Sequence, residues 1–257
     1  MEIRGKVALV TGAGANGTGR AIARALGERG ALVAVNDVDE SGGAETVRLI
    51  EAADGKAAFV RADVTQEEQI QAAIAFAVST FGGLDILVNN AGGTQRPHFP
   101  DAPVEHWSRT LDLNLRGPML AIQHALPEMR KRGAGAIVNI SSVAGIGWKP
   151  HSSPEYSAAK AGVARLTATL APLSERDGVR VNCIVPNWIG TDEVLAEVEA
   201  MTPAERAAVP NVLTTPEEIA QLAVDLIEDE SLAGRVFIWW TSDPPKAVPL
   251  DDLPGDR

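Results

Sequence analysis

The chain has 257 residues, 45% of them hydrophobic, enough for one large α/β domain or two small ones. Its net charge of −11, from 23 basic and 34 acidic residues, argues against nucleic acid or an anionic membrane as partner. Cys183 is the only cysteine, which excludes an internal disulfide and suits a reducing cytoplasm. No apolar run reaches the ~20 residues of a membrane span, and the first one, at Val7, leaves no room for a signal peptide.

Val7–Val10 is a short apolar run between turn signals, the mark of a buried strand. It opens into Thr11-Gly-Ala-Gly-Ala-Asn-Gly-Thr-Gly19 and then into the helix-period run Arg20–Glu28. A strand, a glycine turn and a helix N-terminus make a pyrophosphate site, because free N–H groups and the helix dipole point at the anion. Gly12, Gly14 and Gly17 satisfy G-x-G-x-x-G, a weak match alone that gains from its flanking strand and helix. A second strand, Leu32–Val35, ends at Asn36-Asp37. An acid about 20 positions past the glycine turn is where a ribose 2′-hydroxyl is bound, and no Arg or Lys follows Asp37 to receive a 2′-phosphate. NAD is therefore expected over NADP; the alternative is a solvated loop acid, as Asp39 and Glu40 are read.

Ser41–Ala53 reads as a helix and Ala57–Arg61 as a strand, followed by Ala62-Asp63-Val64. Thr65 with Glu68 has the capping-box pattern for a helix running to Phe81. The strand Ile86–Val88 leads into Asn89-Asn90-Ala91-Gly92-Gly93. Strands alternating with helices of this length imply βαβ units and a parallel sheet, whose ligands sit at the carboxyl ends of the strands. Gly12, Asp37, Asp63 and Asn89 all fall there. Val104–Arg130 reads as one long helix containing Pro118 and Pro127. Pro118 lacks the N–H that would bond the Asn114 carbonyl, which leaves either a tolerated kink or a carbonyl free to hold a water in a proton relay.

Ala136–Ile140 is the fifth strand, with Ser141-Ser142 at its end: a hydroxyl for a substrate oxygen, or turn serines. Ser153 can cap, and Pro154 can start, a helix carrying Tyr156 and Lys160, four positions apart and so on one face. A free phenol titrates near ~10, and a fixed ammonium nearby favours the phenolate. The pair therefore suits general acid/base work at a carbinol or carbonyl oxygen, and Tyr156 is the only tyrosine in the chain. This helix is interrupted at Pro172, and Arg180–Val185 is the sixth strand, followed by Pro186-Asn-Trp-Ile-Gly-Thr191. Residues 192–213 read as a small helical flap, Thr215-Pro-Glu-Glu218 as a strong helix start and Arg235–Trp240 as the last strand. His98, His106, His124 and His151 lack metal-ligand spacing and are read as surface or loop residues, so no metal is expected. Ser141-Ser142 also lacks the G-x-S-x-G elbow of a hydrolase.

Jointly, in this order and spacing, Thr11–Gly19, Asp63-Val64, Asn89-Asn90-Ala91-Gly92, Asn114, Ser142, Tyr156-Ser-Ala-Ala-Lys160 and Pro186–Thr191 resemble the short-chain dehydrogenase/reductase family, over roughly Ile3 to Trp240. The resemblance implies a single doubly wound α/β domain with a seven-stranded parallel sheet, the Rossmann fold, over residues 1–240. The tail 241–257, with four prolines and four aspartates, would dock on that domain or on a neighbouring subunit. The implied activity is hydride transfer between NAD(H) and a secondary alcohol or ketone. Tyr156 would exchange the proton, Lys160 would hold the nicotinamide ribose and lower the Tyr156 pKa, Ser142 would position the substrate oxygen and Asn114 would anchor the relay water. Gly12, Asn16, Gly17, Thr18 and Gly19 would meet the phosphates, Asp37 the ribose, Asp63 with Val64 the adenine, Asn89 with Ala91 and Gly92 the adenosine side, and Ile189 with Thr191 the carboxamide. Trp148 and Trp188 would flank a pocket for an apolar, cyclic or long-chain alcohol, or merely pack loops. A dimer or tetramer is implied, joined through the helices Val104–Arg130 and Tyr156–Arg176. Alternatives are an NAD-binding regulator without turnover and a 3-hydroxyacyl-CoA-type dehydrogenase.

Four departures from the family pattern stand out. One extra residue lies between Gly12 and Gly17; Ser142 precedes Tyr156 by one residue more than expected, leaving Ser141 possible; Asn187 replaces a glycine; and Thr241-Ser-Asp-Pro-Pro replaces a glycine-rich ending.

Overall fold

The computed structural model describes residues 1–147, 151–207, 209–240 and 243–249, apart from the Glu205 side chain. Among these, eight strands form a sheet: β1 Val7–Thr11, β2 Leu32–Asp37, β3 Lys56–Arg61, β4 Ile86–Asn89, β5 Gly135–Ile140, β6 Val179–Pro186, β7 Val236–Trp239 and β8 Lys246–Ala247. Their order is β3-β2-β1-β4-β5-β6-β7-β8. The first seven are parallel, as expected; β8, from the proline-rich tail, adds an antiparallel edge with Phe237 opposite Ala247. The tail beyond 249 lies outside the described residues, as do residues 148–150, and with them Trp148.

The helices are α1 Thr18–Glu28, α2 Glu40–Glu51, α3 Glu67–Phe81, α4 Val104–Leu111, α5 Gly117–Arg132, α6 Pro154–Thr169, α7 Leu173–Asp177, α8 Asp192–Ala200, α9 Pro203–Arg206 and α10 Pro216–Glu228. Alternate residues of one strand serve opposite faces of the sheet. Ala8 and Val10 pack beneath α1 and α10 with Ile22, Leu26 and Ile219. Val7 and Leu9 pack beneath α3 and α5 with Ile74, Ile122 and Met129. Because both faces are covered, β1, β5 and β6 are buried along their whole length, which is why Val7–Val10 reads as an unbroken apolar run; β5 and β6 also bury Asn139, Arg180 and Asn182.

Three helix expectations change. The long helix is not continuous: a π-helical turn, Asp112–Arg116, separates α4 from α5, and the Gly117 N–H bonds Asp112 O. The register slips immediately before Pro118, where an α-helical partner for Asn114 O is missing in any case. The Thr65–Glu68 capping box is absent, since α3 starts one residue later with Gln66 at its N-cap. Thr65 is instead drawn into a turn in which its N–H donates to Asp63 Oδ1 at 2.9 Å. Ser153 is the N-cap residue of α6 but gives it no side-chain bond; its hydroxyl donates to Glu155 Oε1. At Thr215 the predicted box does form, with both of its hydrogen bonds present.

The α10 C-terminus is closed by a buried cation. The Arg180 guanidinium, on β6, donates to Leu226 O, Asp229 O and Leu232 O at 2.8–3.0 Å and to Ile227 O at 2.6 Å. A helix C-terminus leaves carbonyls without donors and attracts positive charge. Arg180→Leu should therefore destabilise the fold by about 3 kcal/mol, from Leu226 O and Asp229 O left without their side-chain donor; Ile227 O and Leu232 O keep Met1 N and Asn182 Nδ2. Urea unfolding measures this; a midpoint unchanged from wild type would contradict the assignment.

Candidate active site

The sheet reverses direction of growth between β1 and β4, opening a crevice at their carboxyl ends. The loop Gly12–Gly17 crosses it into α1. Gly12 turns with φ +64°, and a Cβ at Gly19 would overlap the Gly12 carbonyl, so α1 can approach this closely only without a side chain there. Asn90, quoted in the motif but given no role, ties the crevice floor: its amide donates to Thr11 O and Gly12 O at 3.1 and 2.9 Å. The Thr11 hydroxyl accepts from the Asn90 and Ala91 N–H groups, each at 3.1 Å.

Arg20 and Thr46 hold the loop from behind. Arg20 donates to Gly14 O and to Thr46 Oγ1, and Thr46 donates to Ala13 O at 2.7 Å. With Ala13 and Gly14 pinned, the extra residue emerges as an exposed bulge at Ala15-Asn16. There the Asn16 amide donates to Asp192 Oδ2 at 2.5 Å, at the start of α8. A Cβ on Gly17 would touch the Thr191 methyl at 3.3 Å, so the glycine loop and the segment after β6 face each other closely. Thr18, in the first turn of α1, is buried.

Asp37 ends β2, with Oδ2 accepting from Gly14 N–H at 2.7 Å and Oδ1 from Asp39 N–H at 3.0 Å. Beyond β3, Asp63 faces Arg109 of α4 at 3.6 Å. A cavity of about 510 Å³ lies here, lined by Val38, Arg61, Asp63, Gln69 and Arg109. Val64 sits in the core beneath α3 and α5. Asn89 is buried too, and its amide donates to Asn139 Oδ1 at 2.8 Å, so its side chain is spent inside the sheet rather than offered to the crevice.

The predicted catalytic residues converge at the ends of β5 and α6. Ser141 is excluded from the crevice, because its buried hydroxyl donates to Lys160 O at 2.7 Å. Ser142 starts a 3₁₀ turn, Val143–Gly145; its hydroxyl accepts from the Ala144 N–H at 3.2 Å and stands beside half-buried Tyr156. Lys160 is 5% exposed. Its ammonium donates to Ile140 O at 2.9 Å and lies 5.6 Å from the Tyr156 ring centre. Asn114, fully buried in the π turn, clasps Gly93: its amide donates to Gly93 O at 2.8 Å and its Oδ1 accepts the Gly93 N–H at 3.0 Å. A Cβ on Gly92 would stand 2.8 Å from Asn114 Oδ1 and 3.0 Å from Lys160 Nζ, so these residues meet at one point. His151, read as a loop residue, stacks on Tyr156 with ring centres 5.6 Å apart.

Burial pushes the Tyr156 phenol above its ordinary range, and the Ser142 hydroxyl pulls it back. The lowering expected of Lys160 is not among the causes. Lys160 is itself desolvated, its pKa falling to about 8, and its ammonium is turned to the Ile140 carbonyl. Buried Cys183, beside it, is pushed up to about 12 and is inert as a thiolate.

After β6 the chain pairs briefly with the end of the flap. Thr214 N–H donates to Trp188 O at 3.0 Å, and Ile189 bridges Thr214. The Thr191 hydroxyl caps α8 by accepting from Val194 N–H at 3.3 Å. Among the described residues no helix is long and apolar enough to cross a membrane.

A doubly wound sheet with a glycine loop at its switch point and a phenol, a hydroxyl and an ammonium beside it defines a dinucleotide-dependent oxidoreductase. The chain belongs to the short-chain dehydrogenase/reductase family: a short chain dehydrogenase model matches residues 6–201. It is 42% identical over 232 residues to cis-4-hydroxycyclohexanecarboxylate dehydrogenase of Sinomonas cyclohexanicum (87% of this chain, 90% of the relative). It is 39% identical over 235 residues to 3beta-hydroxysteroid dehydrogenase 1 of Eggerthella lenta (90% and 89%). A 7α-hydroxysteroid dehydrogenase, solved with NADH and 7-oxo glycochenodeoxycholic acid, superimposes with a TM-score of 0.85 at 32% identity, covering 94% of this chain and 96% of that one. The protein is thus an enzyme acting on CH–OH groups with a nicotinamide cofactor.

Lys160 also makes a stability prediction. Its folded value of about 8 lies below the 10.5 of an exposed lysine, so the burial penalty is fully present below pH 8 and fades as the pH rises to 10.5. The penalty is roughly 3 kcal/mol, offset by ~1 kcal/mol for the bond to Ile140 O. Lys160→Met should melt higher than wild type at pH 7, with the gap closing above pH 8; scanning calorimetry at several pH values measures it.

Proposed function

We propose that the enzyme is an NAD-dependent dehydrogenase of secondary alcohols carried on a ring, working in either direction through a Tyr156-centred relay. The observation that carries this reading is the convergence of Ser142, Tyr156 and buried Lys160 at the ends of β5 and α6, with the Lys160 ammonium 5.6 Å from the Tyr156 ring centre. The relatives named above bear ring alcohols in their names, which supports the substrate class.

The residues present fit a bound dinucleotide. α1 begins at Thr18 with no side-chain cap, which leaves its first N–H groups for a phosphate, and Asp37 stands at the end of β2 with its carboxylate already oriented by two N–H groups. A carboxylate there accepts from a ribose 2′-hydroxyl and repels a 2′-phosphate, which supports NAD over NADP. When bound, the dinucleotide supplies the hydride acceptor or donor. The protein does the rest: Ser142 orients the reacting oxygen, Tyr156 takes or gives its proton, and Lys160 binds ribose hydroxyls and connects the phenol to Asn114 and water. The exposed apolar residues Val104, Leu111 and Met119 along α4 and α5 support a homo-oligomer, checked by sedimentation velocity.

Tyr156→Phe should reduce kcat for cyclohexanol oxidation by a factor on the order of 10³ while NAD binding stays close to wild type. Full residual turnover would end the assignment. Since burial keeps the phenol protonated near neutrality, oxidation should climb as pH rises through neutrality, while reduction should be level there and fall on the alkaline side. Rate profiles in both directions test this, and an oxidation rate flat from acid to alkali would contradict it. The wild type should prefer NAD over NADP in kcat/KM, and Asp37→Ser should narrow that preference; tighter use of NADP by the wild type would refute the Asp37 role.

A further inference from the structure

The first turns of α2 contain two adjacent glycines, Gly42 and Gly43, although glycine is a poor helix former. A Cβ on Gly42 would stand 2.6 Å from Gly14 O, so α2 lies directly against the glycine loop there. One turn further on, Thr46 is fully buried. Its hydroxyl donates to Ala13 O at 2.7 Å and accepts from Arg20 Nε at 2.9 Å. The Arg20 guanidinium also donates to Gly14 O and, at 3.3 Å, to Gly42 O. From the other side β2 holds the same two residues: Ala13 N–H donates to Asn36 O at 3.0 Å, and Gly14 N–H to Asp37 Oδ2 at 2.7 Å. The planar peptide joining Ala13 to Gly14 is thus gripped on opposite edges, by Thr46 at its carbonyl and by Asp37 at its N–H. Ala15 and Asn16, immediately after it, are exposed.

Glycine-rich segments lose much backbone freedom on ordering, and any part of that loss left to the binding step weakens the ligand. The clamp takes that loss beforehand, during folding. A rigid peptide also transmits position, so where Thr46 puts the Ala13 carbonyl decides where the Gly14 N–H meets the Asp37 carboxylate. We infer that Thr46, with Arg20 behind it, is a positioning residue that aims Asp37 at the adenosine ribose of the cofactor and so sets the affinity for the dinucleotide. This rests on the NAD reading of Asp37 and adds to it the residues through which this chain holds that carboxylate. The clamp lies on the β2 side of the crevice, whereas Tyr156 and Lys160 stand beyond β1 and β4, at the end of β5. Affinity, and not the chemical step, should respond to its loss.

The test uses the full-length enzyme with Thr46→Val, which keeps the shape without the hydroxyl, and Thr46→Ser, which keeps the hydroxyl. Calorimetric titration with NADH should show binding weakened roughly five- to a hundredfold in Thr46→Val, the range for a buried group left unpaired, and close to wild type in Thr46→Ser. The KM for NAD should rise with it, while kcat at saturating NAD should not fall. In an Asp37→Ser background the further loss from Thr46→Val should largely vanish, because the two side chains act through one peptide. Additive losses, NADH affinity unchanged in Thr46→Val, or an equal fall in Thr46→Ser would each overturn the inference and leave the dinucleotide reading standing. A wild type that does not bind NADH defeats that reading first, and the inference with it. If Thr46→Val does not fold, Gly42→Ala carries the test: its Cβ presses on Gly14 O, and NADH affinity equal to wild type would overturn the inference.

Discussion

A lysine ammonium held almost out of reach of water, bonded to one carbonyl at the end of β5, is the constraint on which this site depends. Desolvation opposes such a charge. Tyr156 sits in the first turn of α6, where the helix dipole favours a developing phenolate. The two would meet in the proton transfer proposed for Tyr156. Ile140 O holds the ammonium, and Ser142 stands beside the phenol, before that happens.

What could be read from the chain alone was whatever depends on spacing within one element. The Tyr156/Lys160 pair needs only helical periodicity, and the glycine turn needs only its flanking strand and helix. Readings that required knowing where a side chain points fared differently. β4 is buried on both faces, so no alternation of polar and apolar residues marks which of Asn89 and Asn90 faces the crevice. The structure turns Asn89 into the sheet and gives the loop-tying bonds to Asn90. Likewise Ser141 and Ser142 are indistinguishable until the 3₁₀ turn rotates one of them onto Lys160 O. The π turn escaped because one extra residue in a helical turn leaves the long-range apolar pattern nearly intact. β8 escaped because two residues among prolines carry no strand signal.

The extra residue in the glycine loop shows how an insertion can be absorbed without disturbing the packing of α1 on the turn after β1. Arg20 and Thr46 fix Ala13 and Gly14, and Gly19 stays packed on Gly12, so the added length appears only at the exposed bulge. That bulge then acquires a contact of its own, Asn16 to Asp192. On the other wall of the crevice, Arg96 reaches Glu197 in the same helix. Exposed polar contacts contribute little individually. Their importance lies in where they attach: α8 is linked both to the glycine loop and to the loop that follows β4.

Rigidity and stress are distributed unevenly in this molecule. The buried ammonium, the π turn around Asn114 and a Glu155 carboxylate oxygen with no partner among the described residues all gather where β5, α4 and α6 meet. Each departs from what a stability-driven sequence would choose, because a buried charge, a slipped helical register and an unpaired acceptor all carry a cost. At the opposite end of the strands Arg180 satisfies four carbonyls at once, and buried apolar side chains fill both faces of the sheet. The frame can then hold Tyr156, Ser142 and Lys160 in an arrangement that none of the three would adopt for its own sake. The charge at Lys160 tolerates its setting only because the backbone around Ile140 is pinned in the middle of a parallel sheet, with β4 on one side and β6 on the other.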